Sequence, residues 1–376
     1  MHYTLPFLQV KLCLFLLISL VIDLHGQNKL TLSKEADEAR INAYEKQLAN
    51  YLSSYLVEEY EARAAKAWNR DYSSINALQR SVEPNRRRWE KVIKPPLVQK
   101  SGPLQKTDYP LQGIQAEWLK LPLGSITAEA ILAFPAKASK TNRVPLIIVQ
   151  HGIGSGPETP FENGDSYHAY AKALLDAGFA VLAPLNLRSI ERRNHIERLC
   201  RMADMSIPGI ELVRVQHLLD LVLADPRVDA ERVGMWGVSL GGMATMFWMP
   251  LEPRIKAAVV SAWFNDRRNK MVIPDERYSC FLETTEEYVF LSGWLTEFSD
   301  DDLVSLICPR PLQIQHGKKD GIAYWPGVVQ EFNRAKEHYR KLSIDNRMEM
   351  VMHEGGHEAI VDKGVAFLSK WLNSPH

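Results

Sequence analysis

The chain has 376 residues, with 45 Lys+Arg balanced by 45 Asp+Glu and 46% hydrophobic residues. That length allows one large domain with a sizeable core and an appendage. The zero formal charge lacks the basic field that nucleic-acid binding requires, and four cysteines without a CxxC pair argue against a thiol-based metal or redox centre.

An apolar run over 12–22 follows Lys11 and leads into Asp23-Leu24-His25-Gly26-Gln27. Its length and flanks are those of a signal peptide, 1–26, cleaved near Gly26. A membrane anchor would need about 18 or more apolar residues, so the expected mature protein is secreted or periplasmic, with no stable membrane insertion. Cys13 falls inside the run, not at its end, which disfavours a lipoprotein. Of the remaining cysteines, Cys200 and Cys280 could join two predicted insertions by a disulfide in an oxidising compartment. Cys308 precedes a core strand and reads as a small buried side chain.

Residues 27–112 read as a helical extension and linker. Ser33 is a candidate N-cap, with Glu35 and Asp37 suited to the first turn. Ile41, Tyr44, Leu48, Tyr51, Leu52, Tyr55 and Leu56 then recur at helical spacing over 33–68. A second helix is predicted over 72–82, stopped by Pro84. Arg86-Arg87-Arg88 reads as a solvated charge run. Lys94-Pro95-Pro96 and Ser101-Gly102-Pro103 mark the linker into a catalytic domain over 113–376.

The segments 115–121 and 125–134 read as antiparallel strands around Leu123-Gly124. Strands at 144–150, 179–183 and 255–262 then alternate with helices at 167–177 and 210–224. This alternation predicts an α/β fold, a mostly parallel sheet with helices on both faces. Strand 144–150 runs into His151-Gly152-Ile153-Gly154, a glycine-rich turn able to aim backbone N–H groups at a developing negative charge. Two insertions, 186–208 and 265–305, follow strand ends and should cover the carboxyl edge of the sheet. The first is crowded with arginines at 188, 192, 193, 198 and 201, mostly solubilising, one of which (Arg188) is a candidate clamp for a substrate carboxylate. The second is aromatic; most of its rings should pack, with Trp263 a candidate platform for a sugar or aryl group. His151 is a third candidate substrate-binding residue.

Gly237-Val238-Ser239-Leu240-Gly241 follows the apolar run 232–236 and matches G-x-S-x-G where a buried strand would turn into a helix. A serine hydroxyl is a poor nucleophile unless a tight turn presents it beside a base and N–H donors. The acid is expected at Asp320, after the strand ending His316-Gly317, with Asp266 as a rival after the strand that ends at Trp263. The base is expected at His357, after the alternating strand 348–352. His353-Glu354-Gly355-Gly356-His357 is also a literal H-E-x-x-H, which binds zinc only on a helix. Its two central glycines each cost about 1 kcal/mol in a helix interior, so no metal is expected and His353 reads as a strand-end residue. The order Ser, Asp, His is that of α/β-hydrolases.

On these residues the chain resembles the α/β-hydrolases of the dienelactone-hydrolase and acetyl-xylan-esterase-like group, with an N-terminal helical extension. The resemblance spans roughly 113–372. It rests on the His151-Gly152 loop, Asp225-Pro226-Arg227-Val228-Asp229, the elbow, His316-Gly317-x-x-Asp320 and Gly355-Gly356-His357. Dienelactone hydrolases proper use a cysteine nucleophile, and Ser239 here favours the esterase side. The resemblance implies an exported serine esterase with Ser239 as nucleophile, His357 as base and the N–H groups of Leu240 and Ile153 as oxyanion donors. It implies no cofactor and a small-molecule or carbohydrate ester as substrate. A prolyl-oligopeptidase-like peptidase would share the elbow but carries a large β-propeller, for which the helical N-terminal segment is too short. A non-catalytic protein of this fold would be expected to have lost a triad residue, and none is missing.

Overall fold

The structure, a computed structural model, describes residues 33–111 and 113–373; the expected signal peptide lies outside the described residues. Two compact units divide after Ser54. The described part of the first is helix α1 (Lys34–Ser53), whose first turn carries Glu35 and Asp37 and whose Ala36 N–H donates to Ser33 Oγ at 3.2 Å. The chain then makes a π-helical turn over Ser54–Glu58, so the single apolar repeat read over 33–68 is broken before α2 (Tyr60–Ala67).

The second unit begins at Tyr55. Its helices α2, α3 (Ile75–Ser81) and α4 (Glu83–Ile93) share one buried core with residues of the sheet region, Trp89 packing edge-on to Phe247. Two readings of this stretch are corrected. Pro84 opens α4, where the missing N–H would lack a helical partner in any case. The arginine run is not a solvated face, because only Arg87 is fully exposed. Arg86 donates to Pro250 O and Leu306 O, and Arg88 grips the buried Glu297 at 2.5 and 2.9 Å. Arg86 and Arg88 thus tie α4 to the segments that follow the elbow helix.

The sheet has nine strands: β1 (Gln105–Leu111), β2 (Ile114–Leu123), β3 (Ile126–Ala133), β4 (Val144–Gln150), β5 (Ala180–Pro184), β6 (Val228–Val238), β7 (Ile255–Ser261), β8 (Leu312–Gly317) and β9 (Met348–His353), in spatial order 1-2-3-5-4-6-7-8-9. The pairs β1·β2, β2·β3 and β3·β5 are antiparallel, and the other pairs are parallel. Strand β1 was not foreseen: only its last residue is buried, so no apolar pattern marks it. The sheet therefore starts at Gln105, ahead of the boundary drawn at Gly113.

Helices α5 (Tyr170–Asp176), α6 (Ile190–Met202), α7 (Ile207–Val222), α8 (Leu240–Trp248), α9 (Arg267–Val272), α10 (Asp300–Ile307), α11 (Trp325–Arg340) and α12 (Val361–Leu372) complete the unit. Two core clusters pack on the sheet: one holds Met235, Phe247 and Trp294, the other Trp236, Val259 and Phe367. That split follows the alternation along β6, where Met235 and Trp236 point to opposite faces. The Cys200–Cys280 bridge is not formed. Both are buried free thiols, each in its own packing, and burial pushes the Cys200 thiol up to about 11.

Candidate active site

Strand β6 delivers Ser239 to a turn at φ 59°, ψ −119°, a region that an L-residue occupies only under constraint. Backbone proximity supplies the constraint. A Cβ on Gly237 would stand 1.9 Å from Gly241 O, and one on Gly241 would stand 2.0 Å from Gln150 O. Only glycine lets β6, α8 and the end of β4 approach so closely. Ser239 N–H donates to Ser261 O at 2.9 Å, which fixes the turn to the end of β7. Helix α8 starts at Leu240, whose N–H has no acceptor among the described residues.

The His151-Gly152 turn lies against this elbow. A Cβ on Gly152 would be 3.2 Å from Ser239 Cβ and 3.0 Å from Tyr167 Oη. The Gly152 N–H donates to Tyr167 Oη at 2.6 Å, and Gly154 N–H donates to Arg188 O at 2.8 Å. Ile153 between them has no acceptor for its N–H among the described residues. Two donors, one at the start of α8 and one on the His151–Gly154 turn, are thereby left without acceptors near the serine.

Asp320 follows β8 and His357 follows β9, and the two meet: His357 Nδ1 lies 2.9 Å from Asp320 Oδ2. Burial pushes the Asp320 carboxyl up, but the His357 hydrogen bond and charge and the Ile322 N–H outweigh it and hold the group below its ordinary value. The rival Asp266 makes no contact with His357; its Oδ2 accepts from Asn269 Nδ2 at 2.7 Å. Residues 354–357 form a bend after the end of β9, so the helix that an H-E-x-x-H zinc site needs is not formed. His353 Nδ1 accepts the Gly355 N–H at 3.2 Å.

The three candidate substrate-binding residues fare differently. His151 is fully buried, its Nδ1 3.0 Å from Gly152 O and its Nε2 3.4 Å from Asn186 N. These contacts match an Nδ1–H tautomer, kept neutral because burial lowers its pKa. It braces the loop through these two contacts. Trp263 is 7% exposed, packed against Phe247, Phe281 and the Arg267 guanidinium, so its faces are already taken. Arg188 is exposed, with its Nη1 3.6 Å from the Cβ position of Gly156, and its guanidinium has no partner among the described residues. Of the other four arginines, Arg193 is buried on Glu211 at 2.6 Å and Arg198 pairs with Glu287 at 2.5 Å. Arg201 caps Glu287 O and Phe290 O, while Arg192 is exposed.

Several positioning groups escaped the sequence reading. Gln315 on β8 accepts from Ser261 Oγ at 2.8 Å and from the Ile360 N–H at 2.8 Å, anchoring the histidine loop behind the elbow. Trp236 Nε1 donates to the same Ser261 Oγ at 2.9 Å. Glu358 bonds His168 Nε2 at 2.6 Å and accepts the Gly356 N–H at 3.0 Å. The one visible signal was polarity inside an apolar strand, Leu312-Gln313-Ile314-Gln315-His316, since buried polar groups need partners.

No protein-family model matches this chain. A Bacillus subtilis (strain 168) protein described as "Putative hydrolase YtaP" is 24% identical over 254 residues, covering 64% of this chain and 83% of that protein. Among solved structures, a "putative acetyl xylan esterase" from Bacteroides fragilis NCTC 9343 superposes with a TM-score of 0.60 at 16% identity, covering 75% of this chain and 77% of its own. A CE15 glucuronoyl esterase from Teredinibacter turnerae T7901 gives a TM-score of 0.57 at 14% identity, over 82% and 90%. With its nine-stranded, mostly parallel sheet, this chain has the α/β-hydrolase fold of those esterase structures.

Proposed function

We propose that this protein is an exported serine hydrolase that cleaves carboxylic esters, including acyl esters of carbohydrates, through an acyl-enzyme. The observation that carries the reading is the Asp320–His357 pair, 2.9 Å apart, on loops at the same sheet edge as the elbow serine. Asp320 holds the proton on Nδ1, leaving Nε2 as the base. Nε2 takes the Ser239 proton as Oγ attacks the carbonyl carbon, and the N–H groups of Leu240 and Ile153 receive the oxyanion. Collapse of the tetrahedral species breaks the ester C–O bond, and the imidazolium gives its proton to the departing alkoxide. Water then repeats the sequence on the acyl-enzyme, releasing the acid and restoring Ser239.

No cofactor enters these steps. The peptidase alternative gains nothing from residues 33–93, which are largely helical. Arg188, exposed beside the Gly152–Gly156 loop, would suit a substrate carrying a carboxylate. The test is hydrolysis of acetyl, feruloyl and longer-chain aryl esters with a peptide amide as control, in wild type and Ser239→Ala. Ester turnover that falls by several orders of magnitude in the variant supports the reading. Amide cleavage without ester cleavage, or undiminished ester turnover in the variant, would reject it.

A further inference from the structure

The apolar repeat of α1 takes no part in the proposed chemistry. Within Lys34–Ser53, Ile41 and Leu48 stand one heptad apart, and Tyr44 and Tyr51 follow them by three residues each. That is the a/d spacing of a coiled-coil seam. Nothing covers it: Ile41, Tyr44, Leu48 and Tyr51 are between 46% and 65% exposed, as is Leu52 beside the seam, and α1 buries none of its residues. Most helical stability in proteins comes from packing an apolar face. A 20-residue helix with no buried residue therefore has such a face to offer.

The charges on α1 choose between occupants. A helix that lies on a membrane surface carries a polar face rich in lysine and arginine, whereas α1 has three basic against four acidic side chains. A second α1 fits better. In a parallel, in-register pair the g position of one helix faces the e position of the next heptad on the other. Here those positions are Arg40 and Glu45, so two symmetric contacts of opposite charge flank the seam. An antiparallel pair with the same apolar layers sets Ile41 against Tyr51 and Tyr44 against Leu48. It brings the two copies of Glu45 together, which is repulsive. Arg40 also pairs with Asp37 inside the helix at 2.6 Å, but an exposed pair of this kind contributes little. Lys34 and Asp37 take the seam positions one heptad earlier, so the apolar seam starts at Ile41. Its shortness makes the pairing dependent on concentration.

We propose that α1 is a dimerisation helix, pairing in parallel with α1 of a second copy of this chain. Ile41, Tyr44, Leu48 and Tyr51 form the seam, and Arg40 faces Glu45 of the second copy. The proposal goes beyond the ester-hydrolase reading and does not rest on it.

The test is sedimentation equilibrium of the protein purified from expression of the full chain, across the micromolar range. A monomer–dimer equilibrium is expected in wild type, and Leu48→Glu should be monomeric throughout. Arg40→Glu and Glu45→Arg should each weaken the dimer severalfold, and the double exchange Arg40→Glu/Glu45→Arg should restore it. These three side chains are exposed, so their variants leave the folded core intact. Ile41→Cys, oxidised with copper–phenanthroline, should give a disulfide-linked dimer, because only the parallel pair sets residue 41 against itself. Cys200, Cys280 and Cys308 are buried and should not compete. A monomeric wild type, including one that binds phosphatidylserine vesicles instead, overturns the proposal. So does a dimer that survives Leu48→Glu, or one that Ile41→Cys does not cross-link.

Discussion

His357 Nδ1 and Asp320 Oδ2 stand 2.9 Å apart, and the aspartate side chain is only 1% exposed. A carboxylate so enclosed can stay ionised because the imidazole and the Ile322 N–H offset the cost of its burial. Asp320→Asn substitutes an amide that can present a donor to Nδ1 and favour the wrong tautomer. It is expected to lower kcat by about 10³–10⁴-fold, by analogy with other serine triads. Asp266→Asn, at a residue that makes no contact with His357, is expected to be mild by comparison. Steady-state kinetics of both variants on one aryl ester and one acetylated oligosaccharide checks this; a kcat collapse in the Asp266 variant with Asp320→Asn nearly silent would reverse the assignment.

Glu358 ties the histidine loop to the 166–168 segment: its Oε2 bonds His168 at 2.6 Å, and the Ala359 N–H donates to Ser166 O at 2.9 Å. Tyr167, between them, accepts the Gly152 N–H at 2.6 Å. One short segment thus holds both the His357 loop and the Gly152–Gly154 turn. Glu358→Gln and His168→Asn should each lower kcat by about tenfold, since small misplacements of catalytic groups are costly. The double variant should fall little further, because both residues serve one contact. Additive losses in the double-mutant cycle would remove Glu358–His168 from this role.

Gly241→Ala should be severely destabilising. Its Cβ would meet Gln150 O at 2.0 Å and His151 O at 3.1 Å, backbone atoms that cannot swing aside. The loss should reach or exceed the roughly 3 kcal/mol at the upper end of ordinary overpacking. Denaturant unfolding measures it, and a variant as stable as wild type would mean that the elbow packs differently.

His316, fully buried on β8 with neither ring nitrogen hydrogen-bonded among the described residues, is pushed down to about 4. Burial is the main cause; the Asp320 charge opposes it, and His353 and His357 reinforce it. The unfolded imidazole binds its proton near 6.5, so between that value and about 4 the unfolded state holds more protons. Stability is therefore present above pH 6.5 and is lost as the pH falls toward 4, by up to roughly 3 kcal/mol from this group. Unfolding free energies across that range should slope upward with pH, and the slope should be smaller in His316→Leu. An unchanged slope would show that His316 is protonated in the fold.

Much of this architecture was legible in the chain because periodicity and turn chemistry are local. The apolar runs of β4 through β8 and the Gly237–Gly241 spacing pointed to a parallel sheet with an elbow, and the structure forms both. What escaped depends on distant pairing. Strand β1 is almost wholly exposed and takes its place from its partner β2. Helix α4 carries in its first turn a proline that reads equally as a stop, and Arg86 and Arg88 look like surface charge until Leu306 O and Glu297 are brought to them. His151 and Trp263 are residue types that bind ligands, yet here burial commits them to the loop and the core. Asn186, which supplies the His151 contact, lies at the start of an insertion where nothing local marks it.

The central claim is that the Ser239 hydroxyl is the nucleophile, and covalent labelling tests it most directly. Folded protein treated with a fluorophosphonate should gain one phosphonyl group, with the fluoride as leaving group, and peptide mass mapping should place it on Ser239. Labelling should be lost in Ser239→Ala and strongly slowed in His357→Ala, since the base is needed to activate the hydroxyl. A label on another residue, or equal labelling of wild type and Ser239→Ala, would contradict the account.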